Sequence, residues 1–214
     1  MDENLSELER LEMVKTWWRE NYQAIVAGAL LAVVIVGGWR YWQYRTQSRS
    51  QAASTLFGQL NESITKKDGV TAQKFGDQLM NDYSDTPYAA QAALALAADA
   101  ANNGKAADGV QKLEWVMQHS KDEGLKLLAR LRAARLKLSI GDAQAAIAEL
   151  SGVDADGFEP LYDELRGDAY VKLGKTEDAR GAYKKALAAW TDALGDHSLL
   201  DMKLNSLPGK ASKS

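Results

Sequence analysis

The residues from Ala24 to Trp39 run AIVAGALLAVVIVGGW without a single charge. As a helix rising about 1.5 Å per residue they span roughly 24 Å, somewhat less than the ~30 Å hydrocarbon core of a bilayer. Aromatic rings make up the difference. Tyr22 stands before the run, Trp39, Tyr41, Trp42 and Tyr44 close it, and Trp17 and Trp18 lie further back. Four of the six tryptophans in the chain therefore bracket one segment. Indole and phenol rings favour the headgroup layer, apolar on one side and wet on the other, and Arg40 can extend its stem towards the phosphates. A buried helix of a soluble domain rarely runs this long without a polar residue. A cleaved leader needs a short basic start and small residues at its cut site. Here the start mixes Asp2, Glu3, Glu7, Glu9, Glu12 and Glu20 with Arg10, Lys15 and Arg19, and the run ends in bulky rings. The pattern predicts an uncleaved single-pass anchor.

Charge leaves the direction of the anchor open. The positive-inside rule counts lysine and arginine near each end. Arg10, Lys15 and Arg19 precede the span, and Arg40, Arg45 and Arg49 follow it, which is a tie. Ala24, Gly28 and Ala32 recur every fourth residue, a small-residue face that would let another membrane helix approach closely. Leu5, Leu8, Leu11 and Val14 recur at helical spacing ahead of the anchor and suit a short interfacial helix or, equally, a frayed tail.

The rest of the 214-residue chain is polar, with a net charge of −3. Residues 50 onward leave about 165 for one well-packed domain. There is neither a basic excess nor a lysine/arginine run, so nucleic acid is not the expected partner. The chain has no cysteine, which excludes disulfides, thiol chemistry and thiolate metal sites, and it has only two histidines, His119 and His197. Abundant alanine and scarce proline favour helices.

Glycines punctuate these helices at Gly69, Gly104, Gly141 and Gly174, at spacings of 35, 37 and 33 residues. A tetratricopeptide unit is about 34 residues, two antiparallel helices joined by a tight turn, and glycine takes the left-handed conformation that ends a helix without penalty. The clearest unit is DELRGDAYVKLGKTEDARGAYKKALAAW. Its Gly167, Tyr170, Ala179, Tyr183 and Ala186 have the spacing G-x2-Y-x8-A-x3-Y-x2-A. Gly167 and Ala179 are small where two helices cross, Ala186 is small where the next helix presses in, and Tyr170 and Tyr183 fill the space between. Asp163 stands where the signature has tryptophan. Earlier units match more loosely: Ala134, Ala146 and Leu150 correspond in one, with Lys137 at the aromatic place, and Ala97, Gly109 and Leu113 in another. Residues 51–83 keep only the helix–glycine–helix outline. Gly152 to Pro160 reads as a loop, Ser198 to Leu207 as a capping helix.

No catalytic constellation stands out. Asp154 and Asp156 in DADG have the spacing of a calcium loop, but its twelfth position falls on Leu165, where a glutamate is required. No cofactor, metal or enzymatic activity is expected.

The stretch VKTWWRENYQAIVAGALLAVVIVGGWRYW, with Lys15 and an aromatic pair ahead of Glu20-Asn21 and Gly38-Trp39-Arg40-Tyr41-Trp42 closing it, resembles the YfgM-like ancillary subunits of the SecYEG translocon. Arg166-Gly167-Asp168-Ala169, Gly174, Ala179-Arg180 and the ending MKLNSL are similar to that family too. The resemblance implies an inner-membrane protein with its N-terminus inside and its repeats in the periplasm. It implies association with SecYEG and with the periplasmic chaperone PpiD, and assistance to polypeptides leaving the channel. It brings no catalytic residues.

The expected fold is all-α: one N-terminal transmembrane helix, then a tetratricopeptide-like α-solenoid of about four hairpins plus a capping helix. The expected divisions are a cytoplasmic tail (1–21), the transmembrane helix (22–44), a periplasmic repeat domain (45–207) and a disordered tail (208–214). In such a stack the first helix of each hairpin lines the inner face. On this register Leu131, Arg135, Leu138, Leu161, Glu164, Asp168 and Val171 face inward as candidate partner-binding residues. The competing expectation is a passive membrane-tethered scaffold that docks one folded partner and never handles clients.

Overall fold

A computed structural model describes residues 7–208, apart from 156. Leu5, Asp156 and the tail from 209 onward lie outside the described residues. Every regular element among them is helical, and the chain divides into two compact units, Met1–Gln51 and Ala52–Ser214.

Helix α1 runs from Glu7 to Thr65. Within the first unit it carries the apolar span with nothing packed on it: Leu30, Leu31, Val33, Val34, Ile35 and Val36 are all exposed. It is long and apolar enough to cross a bilayer. Two side chains flanking the span satisfy themselves on the helix. Asn21 Nδ2 donates to the Trp17 carbonyl and Thr46 Oγ1 to the Trp42 carbonyl, each at 2.9 Å, which removes polar groups that lipid could not solvate. Ala24 and Ala32 are exposed, and no atom comes within 4 Å of a Cβ built on Gly28.

The second unit is built from α2 (Gly69–Asp82), α3 (Pro87–Asn102), α4 (Ala106–His119), α5 (Glu123–Ser139), α6 (Ala143–Leu150), α7 (Glu159–Lys172), α8 (Thr176–Ala189) and α9 (Ser198–Ser206), with a 3-10 turn at Asp192–Leu194. The end of α1 pairs with α2, and α3/α4, α5/α6 and α7/α8 form the other hairpins. The loop expected up to Pro160 stops earlier, because Pro160 lies in the first turn of α7, where its missing N–H costs nothing.

Four turns share one geometry. At Lys67, Gly104, Gly141 and Gly174 the backbone is left-handed, with φ of 58°, 74°, 89° and 70°. Each donates its N–H three residues back, and its successor donates five back: Lys67 to Ile64 and Asp68 to Ser63, Gly104 to Ala101 and Lys105 to Ala100, Gly141 to Leu138 and Asp142 to Lys137, Gly174 to Val171 and Lys175 to Tyr170. This closure satisfies the last carbonyls of a helix and reverses the chain. Asp68 and Asp142 then cap the following helix, accepting from the Thr71 N–H at 3.1 Å and the Ala145 N–H at 2.9 Å.

The first turn departs from expectation. Glycine spacing pointed to Gly69, but Lys67 occupies the left-handed position and Gly69 is the first residue of α2. A side chain with a Cβ is strained there. Lys67→Gly is therefore expected to stabilise the second unit by about 0.5–1 kcal/mol, read as a higher urea midpoint of the detergent-solubilised chain. A lower midpoint would contradict the strain.

With Lys67 as the turn residue, the repeats align throughout, at turn spacings of 37, 37 and 33 residues. Seven positions before each turn residue stand Leu60, Ala97, Ala134 and Gly167, all buried; five after stand Ala72, Gly109, Ala146 and Ala179, all buried; nine after stand Gly76, Leu113, Leu150 and Tyr183, all buried. The last hairpin pairs small Gly167 with large Tyr183, whose ring occupies the place a Cβ on Gly167 would need. The first hairpin reverses this, with Leu60 at the small place and Gly76 at the large one. The Leu96 side chain of α3 fills the space beside Gly76.

The cores alternate with the hairpins. Ala53 and Leu60 of α1 pack with Ala72 and Leu79 of α2 and Ala92 and Leu96 of α3. Met80 of α2, Ala97 of α3, Leu113 and Val116 of α4 and Ala133 of α5 form the next cluster. Leu131 and Ala134 of α5, Ala146 and Leu150 of α6 and Tyr162 and Leu165 of α7 form the third, and Ala179, Tyr183 and Ala186 of α8 with Leu200 of α9 the last. The first three clusters each reach into the first helix of the following hairpin, which is how stacked repeats bury a continuous core. Of the 30 buried apolar residues among those described, 17 are alanine. Close packing of small side chains leaves a few large ones to fill the seams, so those few carry disproportionate weight.

Candidate interaction surface

The candidate residues lie on α5 and α7, the first helices of their hairpins, and fall into three environments. Leu131 is 3 % exposed and belongs to the core between α5 and α7. Leu138 and Leu161 are half-buried against the same core. Arg135 is exposed, as is Val171 at 44 %.

Glu164 and Asp168 come together through a residue that sequence reading did not single out. Lys203 of α9 donates to Glu164 Oε1 at 2.7 Å and to Asp168 Oδ2 at 2.8 Å. Asp168 Oδ1 also accepts from the Tyr183 hydroxyl at 2.7 Å. The capping helix is thus pinned to α7 by one ammonium between two carboxylates. Partial burial works against the charge of Lys203, but its hydrogen bonds to Asp168 and Glu164 outweigh that and hold its pKa above the ordinary lysine value. Burial pushes the Tyr183 hydroxyl upward, and donation to the Asp168 carboxylate adds to the shift. Nothing in the local pattern announces Lys203, which lies 39 residues from Glu164.

A second polar knot lies between α4, α5 and α6. Lys137, which stands at the aromatic position of its repeat, reaches Glu149 at 2.5 Å and Glu114 at 3.5 Å, and Arg130 reaches Glu149 at 3.2 Å. Burial disfavours the Lys137 charge, while Glu149 and Glu114 favour it and prevail, so its pKa is raised. Lys137 replaces ring packing with an ionic tie between neighbouring hairpins.

Two of the clefts on the repeat helices lie beside α3, α4 and α5. One, of about 210 Å³, lies at the loop ends beside Thr86, Trp115 and His119. The His119 ring stacks on Trp115 with centroids 4.4 Å apart, and its Nδ1 donates to the Trp115 carbonyl at 2.9 Å. His119 is therefore tied to the end of its own helix. The other cleft, of about 450 Å³, lies between α3 and α5, lined by Leu94, Ala97, Ala98, Ala101, Leu113 and Leu136 and by Arg132 and Arg135. Sequence reading found Arg135 but not Arg132, although the two share a face at i, i+3. No group of three or more metal-ligating side chains occurs among the described residues.

The sequence profile of the tetratricopeptide repeat-like domain matches residues 15–209. A protein of Neisseria gonorrhoeae named an ancillary SecYEG translocon subunit is 30% identical over 97% of this chain and its own full length. Proteins with the same name from Escherichia coli K12 and Aggregatibacter actinomycetemcomitans are each 28% identical, over 94% and 95% of this chain and 97% and 98% of theirs. No solved structure matches the chain significantly. With four aligned hairpins, an exposed apolar helix ahead of them and relatives matched nearly end to end, the chain belongs to the family of ancillary SecYEG translocon subunits, built on a tetratricopeptide repeat-like domain.

Proposed function

We propose that the chain is an inner-membrane accessory of the Sec translocon whose repeat domain stands in the periplasm and holds polypeptides as they leave the channel, alongside the chaperone PpiD. The span covers 22–44, with 1–21 cytoplasmic and 45–207 periplasmic. The observation that carries this reading is the pairing, in one chain, of an exposed apolar helix long enough to cross a bilayer with a repeat domain that keeps an open, largely apolar groove between α3 and α5. The names of the relatives supply the channel. We read the role as non-catalytic: the relatives are named as translocon subunits, and the polar clusters on α5, α7 and α9 tie helices together. Tethering raises the local concentration of the groove at the exit site, so weak binding with fast release is sufficient, and a holder that must let its client go benefits from weakness.

Photo-crosslinkers placed at Ala98 and Val171 in native membranes test the proposal. Crosslinks to SecYEG and to nascent secreted chains are expected, and their absence overturns it. Crosslinks to one folded partner alone, with no suppression of aggregation by the purified chain, establish a passive scaffold instead. Protease added to intact spheroplasts is expected to digest the repeat domain, and protection would reverse the orientation.

A further inference from the structure

We infer that the groove between α3 and α5 selects extended polypeptide segments that carry carboxylates among apolar side chains. The inference rests on the client-holding reading and names the chemistry of the client. Its basis is the distribution of partners along α5. Five basic side chains lie on this helix. Lys126 pairs with Glu123, Arg130 with Glu149, and Lys137 with Glu149 and Glu114. Arg132 and Arg135 alone among the five have no hydrogen bond or ion pair with any described residue, and both line the groove. No carboxylate lines it. Glu114, Glu123 and Glu149 pair with the other three basic residues of α5, and two guanidinium groups are left beside the apolar lining.

That arrangement suits an occupant supplying negative charge and apolar surface together. The alanines at 97, 98 and 101 keep the floor low, so a second backbone fits over it, while the partly exposed Leu94 and Leu136 offer apolar contact. Arg132 and Arg135 are three residues apart on one helix face, which places their Cβ atoms roughly 5–6 Å from each other. Side chains on one side of an extended chain recur about every 6.6–6.8 Å. Carboxylates at alternate positions of an extended segment therefore reach both guanidinium groups, whose forked donors match a carboxylate in two-point geometry. A translocating chain is extended as it emerges, which is the conformation this spacing reads.

The test uses the full chain in nanodiscs of zwitterionic lipid and a fluorescein-labelled peptide alternating glutamate with valine and leucine, read by anisotropy. Peptides with glutamine or lysine in place of glutamate are the comparisons. The glutamate peptide is expected to bind best. Arg132→Gln and Arg135→Gln are each expected to weaken it about fivefold and to reduce its salt dependence. Both side chains are exposed and unbonded, so these variants keep their fold, which circular dichroism verifies. The double variant Arg132→Glu/Arg135→Glu is expected to prefer the lysine peptide. Equal binding of the glutamate and glutamine peptides, or unchanged binding to the glutamine variants, overturns the acidic selectivity and leaves client holding intact. Failure of every peptide to bind overturns both.

Discussion

Tyr162→Ala is expected to lower the stability of the repeat domain by about 3–5 kcal/mol, the range for deleting a buried aromatic side chain. Tyr162 is 0 % exposed and among the largest fully buried side chains described. Its ring packs with Leu131, Leu150 and Leu165 in the core shared by α5, α6 and α7, and Phe158 meets it edge-on with centroids 6.4 Å apart. Its hydroxyl donates to the Leu127 carbonyl of α5 at 2.9 Å. Alanine removes the ring from a seam whose other members are mostly alanine and leucine, so the surroundings have little bulk with which to refill the void. Tyr162→Phe separates the two contributions: it keeps the ring and gives up the hydrogen bond, at a cost of about 1 kcal/mol. Because stacked repeats pass stability from neighbour to neighbour, Tyr162→Ala should uncouple the α7/α8 hairpin from the rest, and hydrogen exchange should rise there before it rises in α3 and α4. Thermal unfolding of the detergent-solubilised chain, followed by circular dichroism, reads the total. A loss below 1 kcal/mol would mean that the α5–α7 seam does not hold the stack together.

The position of Tyr162 shows how far the sequence could be read and where it stopped. The repeat signature directs attention to the residue after it, Asp163, as the missing tryptophan, and the adjacent tyrosine that fills the seam goes unnoticed. The long apolar helix was legible because a membrane-length span shows in every residue of a segment at once, whereas a packing position needs only its partner. The last hairpin was legible because Gly167 and Tyr183 follow the usual small-against-large order. The first hairpin was not, because Leu60 and Gly76 invert that order, with Leu96 of α3 filling the space beside Gly76, and because Gly69 lies two residues past the left-handed turn that Lys67 makes. The candidate binding residues on the first helices do not share one environment. Leu131 points along the right direction yet lies close enough to α7 to be enclosed, while Arg132, one residue on, stays open. Lys203 was out of reach because its partners are set by the docking of α9.

The repeat domain is also expected to lose stability steeply above pH 10 while remaining nearly indifferent between pH 7 and 9. The buried tyrosines and the bridging lysines act in the same direction. Burial, with a smaller contribution from Glu149, pushes Tyr162 up to about 12. Tyr183 is raised by burial and by its bond to Asp168. Lys203 and Lys137 are raised because their carboxylate partners outweigh the burial that opposes their charge. Each of these groups holds its proton more tightly in the folded chain than in the unfolded one. Below the unfolded values near 10 both states are protonated and the contribution is fully present. As pH rises towards the folded values, the unfolded chain releases protons that the native chain still keeps, and about 1.4 kcal/mol per pH unit is lost for each such group. For Tyr162 alone the loss reaches about 2 kcal/mol by pH 12, and Tyr183 adds to it. Urea unfolding at successive pH values gives the slope. Tyr162→Phe and Tyr183→Phe should each flatten it, since phenylalanine has no proton to release, and the double variant should leave only the shallower fall due to the lysines. A wild-type slope in the double variant would mean that the hydroxyls ionise as freely in the fold as in the unfolded chain. In that case the seam around Tyr162 and the Asp168 bond of Tyr183 would have to be open to water, and the tight α5–α7 and α7–α8 packing could not stand.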